Sequence, residues 1–218
     1  MSNVELKKKR EKFVALILEW FQKHGREFSW RTLDLTPFQH LVAELMLQKT
    51  GASQVEGLFP EFIKKHPDAA SILAVEEEAL AETLRPLGLF NRRARDLKKT
   101  AKLIVENDNV VPNTIEDLKA LPGVGNYIAR ALSCFAFQQP VPILDANVGR
   151  VMKRVFSFPV KGAPSRDKKL AQEVEKIIPE EDFQELNYGI LDLGALVCLP
   201  RNPRCEECPL WKICDSAR

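Results

Sequence analysis

Apolar residues recur along this chain mainly at helical spacing. Phe13, Leu16, Ile17, Trp20 and Phe21 fall at i, i+3, i+4, i+7 and i+8, one stripe of an amphipathic helix. Phe38, Leu41, Val42, Leu45 and Met46 repeat the pattern after Thr36-Pro37, where a capping hydroxyl precedes a proline whose fixed φ suits a first helical turn. The same period predicts further helices over 53–65, 69–73, 76–85, 90–107, 114–120, 126–137, 146–157, 166–177 and 181–197. Strand alternation is scarce. Val141-Pro-Ile-Leu is the best apolar candidate, and its proline and brevity make it an extended entry to a helix. The pattern predicts an all-α protein of about ten helices. Residues 31–137 read as one compact helical lobe, and 1–30 with 138–218 as a second lobe built from both chain ends, with a cleft between them.

Composition changes this picture little. Of 218 residues, 45% are hydrophobic and 28% charged, a balance ordinary for globular proteins and enough for one good core or two modest ones. The longest apolar runs, such as Phe13 to Leu18, fall far short of the roughly 18 residues of a membrane span, so no membrane partner is expected. The basic run Lys7-Lys8-Lys9-Arg10 lacks the apolar core and cleavage site of a signal peptide, which predicts an intracellular, cytoplasmic protein. A net charge of +2 does not by itself announce a polyanion partner.

Two local patterns carry chemistry. Leu121-Pro-Gly-Val-Gly125 lies between two helical segments, the first capped by Thr114 with Asp117 in its first turn. Gly123 and Gly125 permit a tight turn and let backbone N–H groups face outward at the start of the next helix. That makes a main-chain anion site suited to a DNA phosphate, although a plain helix–helix turn would read the same way. Cys198, Cys205, Cys208 and Cys214 are separated by six, two and five residues. Four thiolates hold either a zinc ion or an iron–sulfur cubane, and a single tight loop without a second paired knuckle favours the cubane. Cys134, on an apolar helix, is expected in the core.

With Asp145 between them, these two features resemble the endonuclease III superfamily of helix-hairpin-helix DNA glycosylases. The resemblance is greatest to MutY-type adenine glycosylases and to enzymes that remove thymine from T·G mispairs. It runs from about Trp20 to Cys214 through Val42-Ala-Glu-Leu-Met-Leu-Gln-Lys-Thr50, Leu121-Pro-Gly-Val-Gly-Asn-Tyr127, Pro142-Ile-Leu-Asp-Ala-Asn-Val148 and the cysteine loop. It implies two helical lobes with a DNA-binding cleft, one [4Fe–4S] cluster on the four cysteines, and a nucleotide flipped into a pocket. A monomer acting on double-stranded DNA with a mispaired base, nucleoid-associated in the cytoplasm, is expected.

The resemblance also implies residue roles. Asp145 matches the family's essential aspartate, whose carboxylate stabilises positive charge on the sugar. As a residue it reads equally as a helix N-cap, and the two roles are compatible. Glu44 matches the glutamate that acts as an acid or positions water, and burial would raise its pKa. Gln48, Lys49 and Thr50 are expected to reach into the DNA stack. Leu87-Gly-Leu-Phe90 resembles a loop that wedges into the duplex, through Leu89 and Phe90. Tyr127 stands where lyase members place a Schiff-base lysine, which predicts hydrolysis without strand cleavage. Asn147 is expected near the sugar or orienting Asp145, and Arg150, Lys153 and Arg154 at phosphates. The run Arg92, Arg93, Arg95, Lys98 and Lys99 reads by default as a solvated face and, beside the hairpin, as a candidate backbone contact.

The base removed is less legible. Tyr188 stands where MutY-type enzymes carry a glutamine able to pair with adenine. The wedge loop is not tyrosine-rich, and the separate C-terminal domain by which such enzymes recognise oxidised guanine is expected to be absent. These departures favour thymine or uracil opposite guanine over adenine. A catalytically silent DNA-binding protein and an electron-transfer protein are the readings from other classes; retention of both Glu44 and Asp145 speaks against the silent binder.

Overall fold

A computed structural model of the chain describes residues 2–31 and 34–217. Among them there are twelve α-helices, several short 3-10 turns and no strand, so the fold is all-α. The chain divides into two compact units. One comprises Met1–Arg26 with Gln138–Arg218, the other Glu27–Phe137.

The unit of residues 27–137 holds α2 (Pro37–Leu47), α3 (Ala52–Glu56), α4 (Phe59–Lys65), α5 (Ala69–Leu73), α6 (Glu77–Leu84), α7 (Phe90–Glu106), α8 (Ile115–Ala120) and α9 (Asn126–Phe135). Its core gathers Trp30, Phe38, Leu41, Met46, Phe59, Phe62, Leu80, Leu84, Leu97 and Leu132. Helix α2 packs on α7 and α9, which is why its apolar stripe widens until Phe38 and all residues 40–46 are buried. The other unit holds α1 (Asn3–His24), α10 (Ala146–Phe156), α11 (Lys168–Glu175) and α12 (Phe183–Leu196). Here α12 packs on both α1 and α10 around Phe13, Ile17, Val151, Met152, Leu186 and Leu193.

The start signals act as the sequence predicts. Thr36 caps α2 in a reciprocal box with Gln39, Thr114 caps α8 and Asp145 caps α10. The segment expected as one helix over 53–65 is two. Gly57 closes α3 with its N–H on the Ser53 carbonyl, and Pro60 sits in the first turn of α4, where its missing N–H is harmless. Helices α5 and α8 end where the period places them, and α6, α7 and α9 to α12 end one to two residues earlier. Ser157, for instance, leaves α10 in the left-handed region at φ 57°.

Candidate active site

In the unit of residues 27–137 the candidate chemistry begins on α2. Glu44 is only 8% exposed, and its Oε2 makes no hydrogen bond among the described residues. Burial pushes its carboxyl up to about 8, against the opposing pull of the Arg31 charge. At neutral pH this is a protonated acid with a proton to give. One turn earlier, burial pulls His40 down to about 4, so the imidazole beside it on the helix is neutral too.

Past α2 the chain turns sharply through Lys49, left-handed at φ 53°. Gln48, expected in the DNA stack, donates its side-chain amide to the Gly123 carbonyl at 2.5 Å. Thr50 donates its hydroxyl to the Leu87 carbonyl at 2.8 Å. Lys49 alone of the three is exposed. The expected wedge loop also has a left-handed tip: Leu89, at φ 50°, is 54% exposed. Phe90 begins α7 half-buried, with the Arg85 guanidinium over its ring.

The hairpin joins α8 to α9. Its Pro122 and Gly123 carbonyls are drawn inward by Thr100 and Gln48. Gly123 is left-handed at φ 79°, and a Cβ there would lie 3.0 Å from Leu45. Gly125 is the N-cap of α9 and has no side chain to satisfy the first-turn N–H groups; a Cβ there would meet nothing within 4 Å. The hairpin thus turns carbonyls in and leaves an open, positive helix start. Tyr127, second residue of α9, packs against this unit's core.

The basic run on α7 departs from expectation. Arg93 is buried, and its guanidinium meets carbonyls of Leu45, Gln48, Leu87 and Gly88. Lys98 donates to the Ile72, Leu73 and Val75 carbonyls at the end of α5. Only Arg92, Arg95 and Lys99 stay on exposed surface, the first two near Asp96 and Glu77.

In the other unit, Asp145 caps α10. Its Oδ1 accepts from the Val148 N–H at 2.8 Å and its Oδ2 from Asn147 Nδ2 at 2.9 Å. Burial raises this carboxyl, while the bonds from Val148 and Asn147 and the Arg150 charge resist the rise. Asn187, which the sequence reading did not single out, fixes the approach: its side chain accepts from the Ile143 N–H and donates to the Val141 carbonyl. Its signal was an amide on the apolar face of α12 between Leu186 and Ile190. Arg150, expected at a phosphate, donates to the Cys198 and Gly194 carbonyls and to Asn147 Oδ1, each at 2.7 Å. A hydrogen-bonded path therefore runs from Cys198 through Arg150 and Asn147 to Asp145. Arg154 likewise binds the Leu199 and Pro200 carbonyls and Cys198 Sγ. Tyr188 stacks on Phe21, ring centroids 6.3 Å apart.

Cys198, Cys205, Cys208 and Cys214 line one cavity of about 50 Å³. A single water needs about 10–15 Å³, so this is room for several atoms. Among the described residues no three potential ligands stand close enough to hold a single ion. Burial above all, with the three neighbouring thiols adding to it, pushes the Cys208 thiol up to about 11. The donor set and the space fit a [4Fe–4S] cluster. Cys134 is fully buried in the core of the other unit.

Comparison with known proteins agrees with this arrangement. Residues 42–180 match the HhH-GPD superfamily of base excision DNA repair proteins, and residues 198–214 match the iron–sulfur binding domain of endonuclease III. The chain is 39% identical over 198 residues to an adenine DNA glycosylase of Mycobacterium tuberculosis, covering 89% of this chain and 64% of that protein. It thus spans less than two thirds of that relative. It is 37% identical over 204 residues to a thymine-DNA glycosylase of Aeropyrum pernix, covering 91% of each. Among solved structures it is similar to a thermostable thymine-DNA glycosylase, with a TM-score of 0.90, 32% identity, and 96% and 97% of the two chains covered.

Proposed function

Since the chain belongs to the HhH-GPD superfamily of base excision DNA repair proteins, we propose that it is a monomeric DNA N-glycosylase acting on a mispaired base in double-stranded DNA, with thymine or uracil opposite guanine preferred. The observation that carries the reading is Asp145. Two hydrogen bonds at a helix start hold its carboxylate rigid, with Asn147 as one donor. Such a group stabilises the positive charge that grows on the deoxyribose as the base departs.

In this reaction the bond between C1′ and the base nitrogen breaks, and both electrons leave with the base. Glu44, protonated at neutral pH, gives its proton to the departing base. Water adds its oxygen to C1′, and the proton that water loses restores Glu44. Tyr127 offers a phenol where a lyase needs an amine, so no Schiff base forms there and the abasic strand stays intact. The open helix start at Gly125 holds a phosphate of the duplex, Lys49 and Leu89 enter the stack, and Phe90 supports Leu89. Arg150 and Asn147 position Asp145. Cys198, Cys205, Cys208 and Cys214 would hold the iron–sulfur cluster, which would supply folding energy to the C-terminal loop.

The preference for thymine or uracil is supported by Tyr188, whose phenol cannot make the paired amide contacts that read adenine, and by similarity to the Aeropyrum enzyme over 91% of each chain. Adenine removal is the second reading, favoured by 39% identity to the mycobacterial adenine glycosylase. End-labelled duplexes carrying T·G, U·G, A·G or adenine opposite oxidised guanine separate the two. Hot alkali after incubation should cut the T·G and U·G strands, and without alkali no strand should break. Cutting of the adenine duplexes alone transfers the assignment to adenine. Breaks without alkali remove the Tyr127 argument.

A further inference from the structure

We propose that Arg93 is a positioning residue that fastens two separate segments, 48–50 and 87–89, into a single wedge for the duplex; this rests on the reading above, in which both segments meet DNA. The placement of Arg93 is unfavourable on its own terms. It is 6% exposed and lies in the first turn of α7, where the helix already presents positive charge. No carboxylate pairs with it among the described residues.

What compensates the charge is a ring of oxygens from two places in the chain. Nη1 donates to the Leu45 carbonyl. Nη2 lies 3.3 Å from the Gln48 carbonyl and 3.0 Å from Thr50 Oγ1, and 3.5 Å and 3.4 Å from the Leu87 and Gly88 carbonyls. The first group ends α2, where carbonyls lack helical partners and the dipole is negative. The second ends the 3-10 turn Arg85–Leu87. Thr50 adds a direct link, its hydroxyl donating to the Leu87 carbonyl at 2.8 Å while accepting from Arg93.

Each fastened segment carries a non-glycine residue in the left-handed region, Lys49 at φ 53° and Leu89 at φ 50°. Such backbone persists only where its surroundings over-determine it. Both tips are exposed while the carbonyls next to them are pinned below. A guanidinium can do this because its planar fork reaches several acceptors at fixed angles; an ammonium is a single point charge on a flexible stem. Entering the stack costs unstacking energy, and two tips held in one frame present it with a rigid wedge.

The test follows single-turnover excision, and the fluorescence of 2-aminopurine beside the target base, on whichever duplex the wild-type protein processes. A second substrate places the same target in a short unpaired bubble, where the stack is already open. Arg93→Lys keeps the charge and loses the fork. It should slow excision on the paired duplex by about tenfold to a hundredfold and abolish the fluorescence rise, yet approach the wild-type rate on the bubble. Thr50→Val, which removes the direct link alone, should show the same selectivity more weakly and serves if Arg93→Lys does not fold. Equal losses on both substrates, or wild-type rates on the paired duplex, overturn the proposal. Leu89→Ala assigns the failure. If it slows the paired duplex while Arg93→Lys and Thr50→Val do not, the fastening role alone is wrong. If it too leaves the paired duplex untouched, the placement of these segments on DNA is wrong and the fastening role falls with it.

Discussion

A buried carboxyl group with an oxygen that no hydrogen bond reaches lowers stability whenever it must ionise, and Glu44 shows the consequence. Its folded pKa of about 8 lies above the ordinary 4.5, so the folded chain holds this proton more tightly than the unfolded chain does. The stability it contributes is therefore fully present below pH 4.5 and declines as pH rises to about 8, by about 1.4 kcal/mol per pH unit at most. Glu44→Gln should remove that slope. Denaturant unfolding of wild type and variant should agree near pH 5 and diverge toward pH 8, the variant being the more stable there. Excision by the variant should fall by about a hundredfold or more, the usual size of a lost general acid. Excision by wild type should decline above pH 8 as the acid loses its proton. A wild-type unfolding curve flat across this range would mean that Glu44 is not buried as a neutral acid. Glu44 was legible in sequence because it matches the family's glutamate and stands in an apolar helix, at the margin of its stripe. Arg93 was not, because it stood among four other cations and its acceptors lie at 45, 48, 50, 87 and 88, which no local pattern brings together.

Among the elements, the hairpin separates two glycines that the sequence presents as equals. Gly123 is left-handed and a side chain there would press on Leu45. Gly123→Ala should therefore lower stability by roughly 1–3 kcal/mol in thermal or denaturant unfolding. Gly125 has ordinary backbone and open space, so Gly125→Ala should fold as wild type does. Its methyl group would nevertheless intrude where a phosphate approaches the start of α9. Affinity for undamaged duplex should fall, and the slope of log affinity against log salt should flatten by about one unit. Unchanged DNA affinity would argue that the helix start does not bind phosphate. Helix starts were readable where Thr36, Thr114 and Asp145 carry oxygens that cap them, and less so at α12, whose N-cap Asp182 is left-handed and caps nothing with its side chain. Helix ends were less so. Gln138 and Ser157 adopt left-handed backbone without being glycine, and nothing in their chemistry announces it. The division of 53–65 was available from Gly57 and Pro60, but apolar spacing runs across both without a change of phase.

At the scale of the molecule, the two units differ in what holds them. The unit of residues 27–137 has a broad apolar core of its own. The other unit ends in a loop of short 3-10 turns around four thiols, and that loop is bound to α10 by Arg150 and Arg154 through the carbonyls of Cys198, Leu199 and Pro200, while Arg150 also reaches the Gly194 carbonyl in α12. Arg150 also holds Asn147, and Asn147 holds Asp145. A cluster held by Cys198 would therefore support the carboxylate indirectly, by fixing the backbone that Arg150 binds. Removing it by oxidation and chelation should leave hydrogen-exchange protection intact across α2 to α9. Protection over residues 198–214 should vanish, and that of α10 should fall with it. Excision should be lost, and anaerobic reconstitution with iron and sulfide should restore rate and protection together. Arg150→Met with its cluster intact should imitate half of this, slowing excision while residues 198–214 keep most of their protection. An iron-free protein that excises at the wild-type rate would break the chain of support from Cys198 to Asp145 and reduce the four thiols to a local fastening of the C-terminal loop.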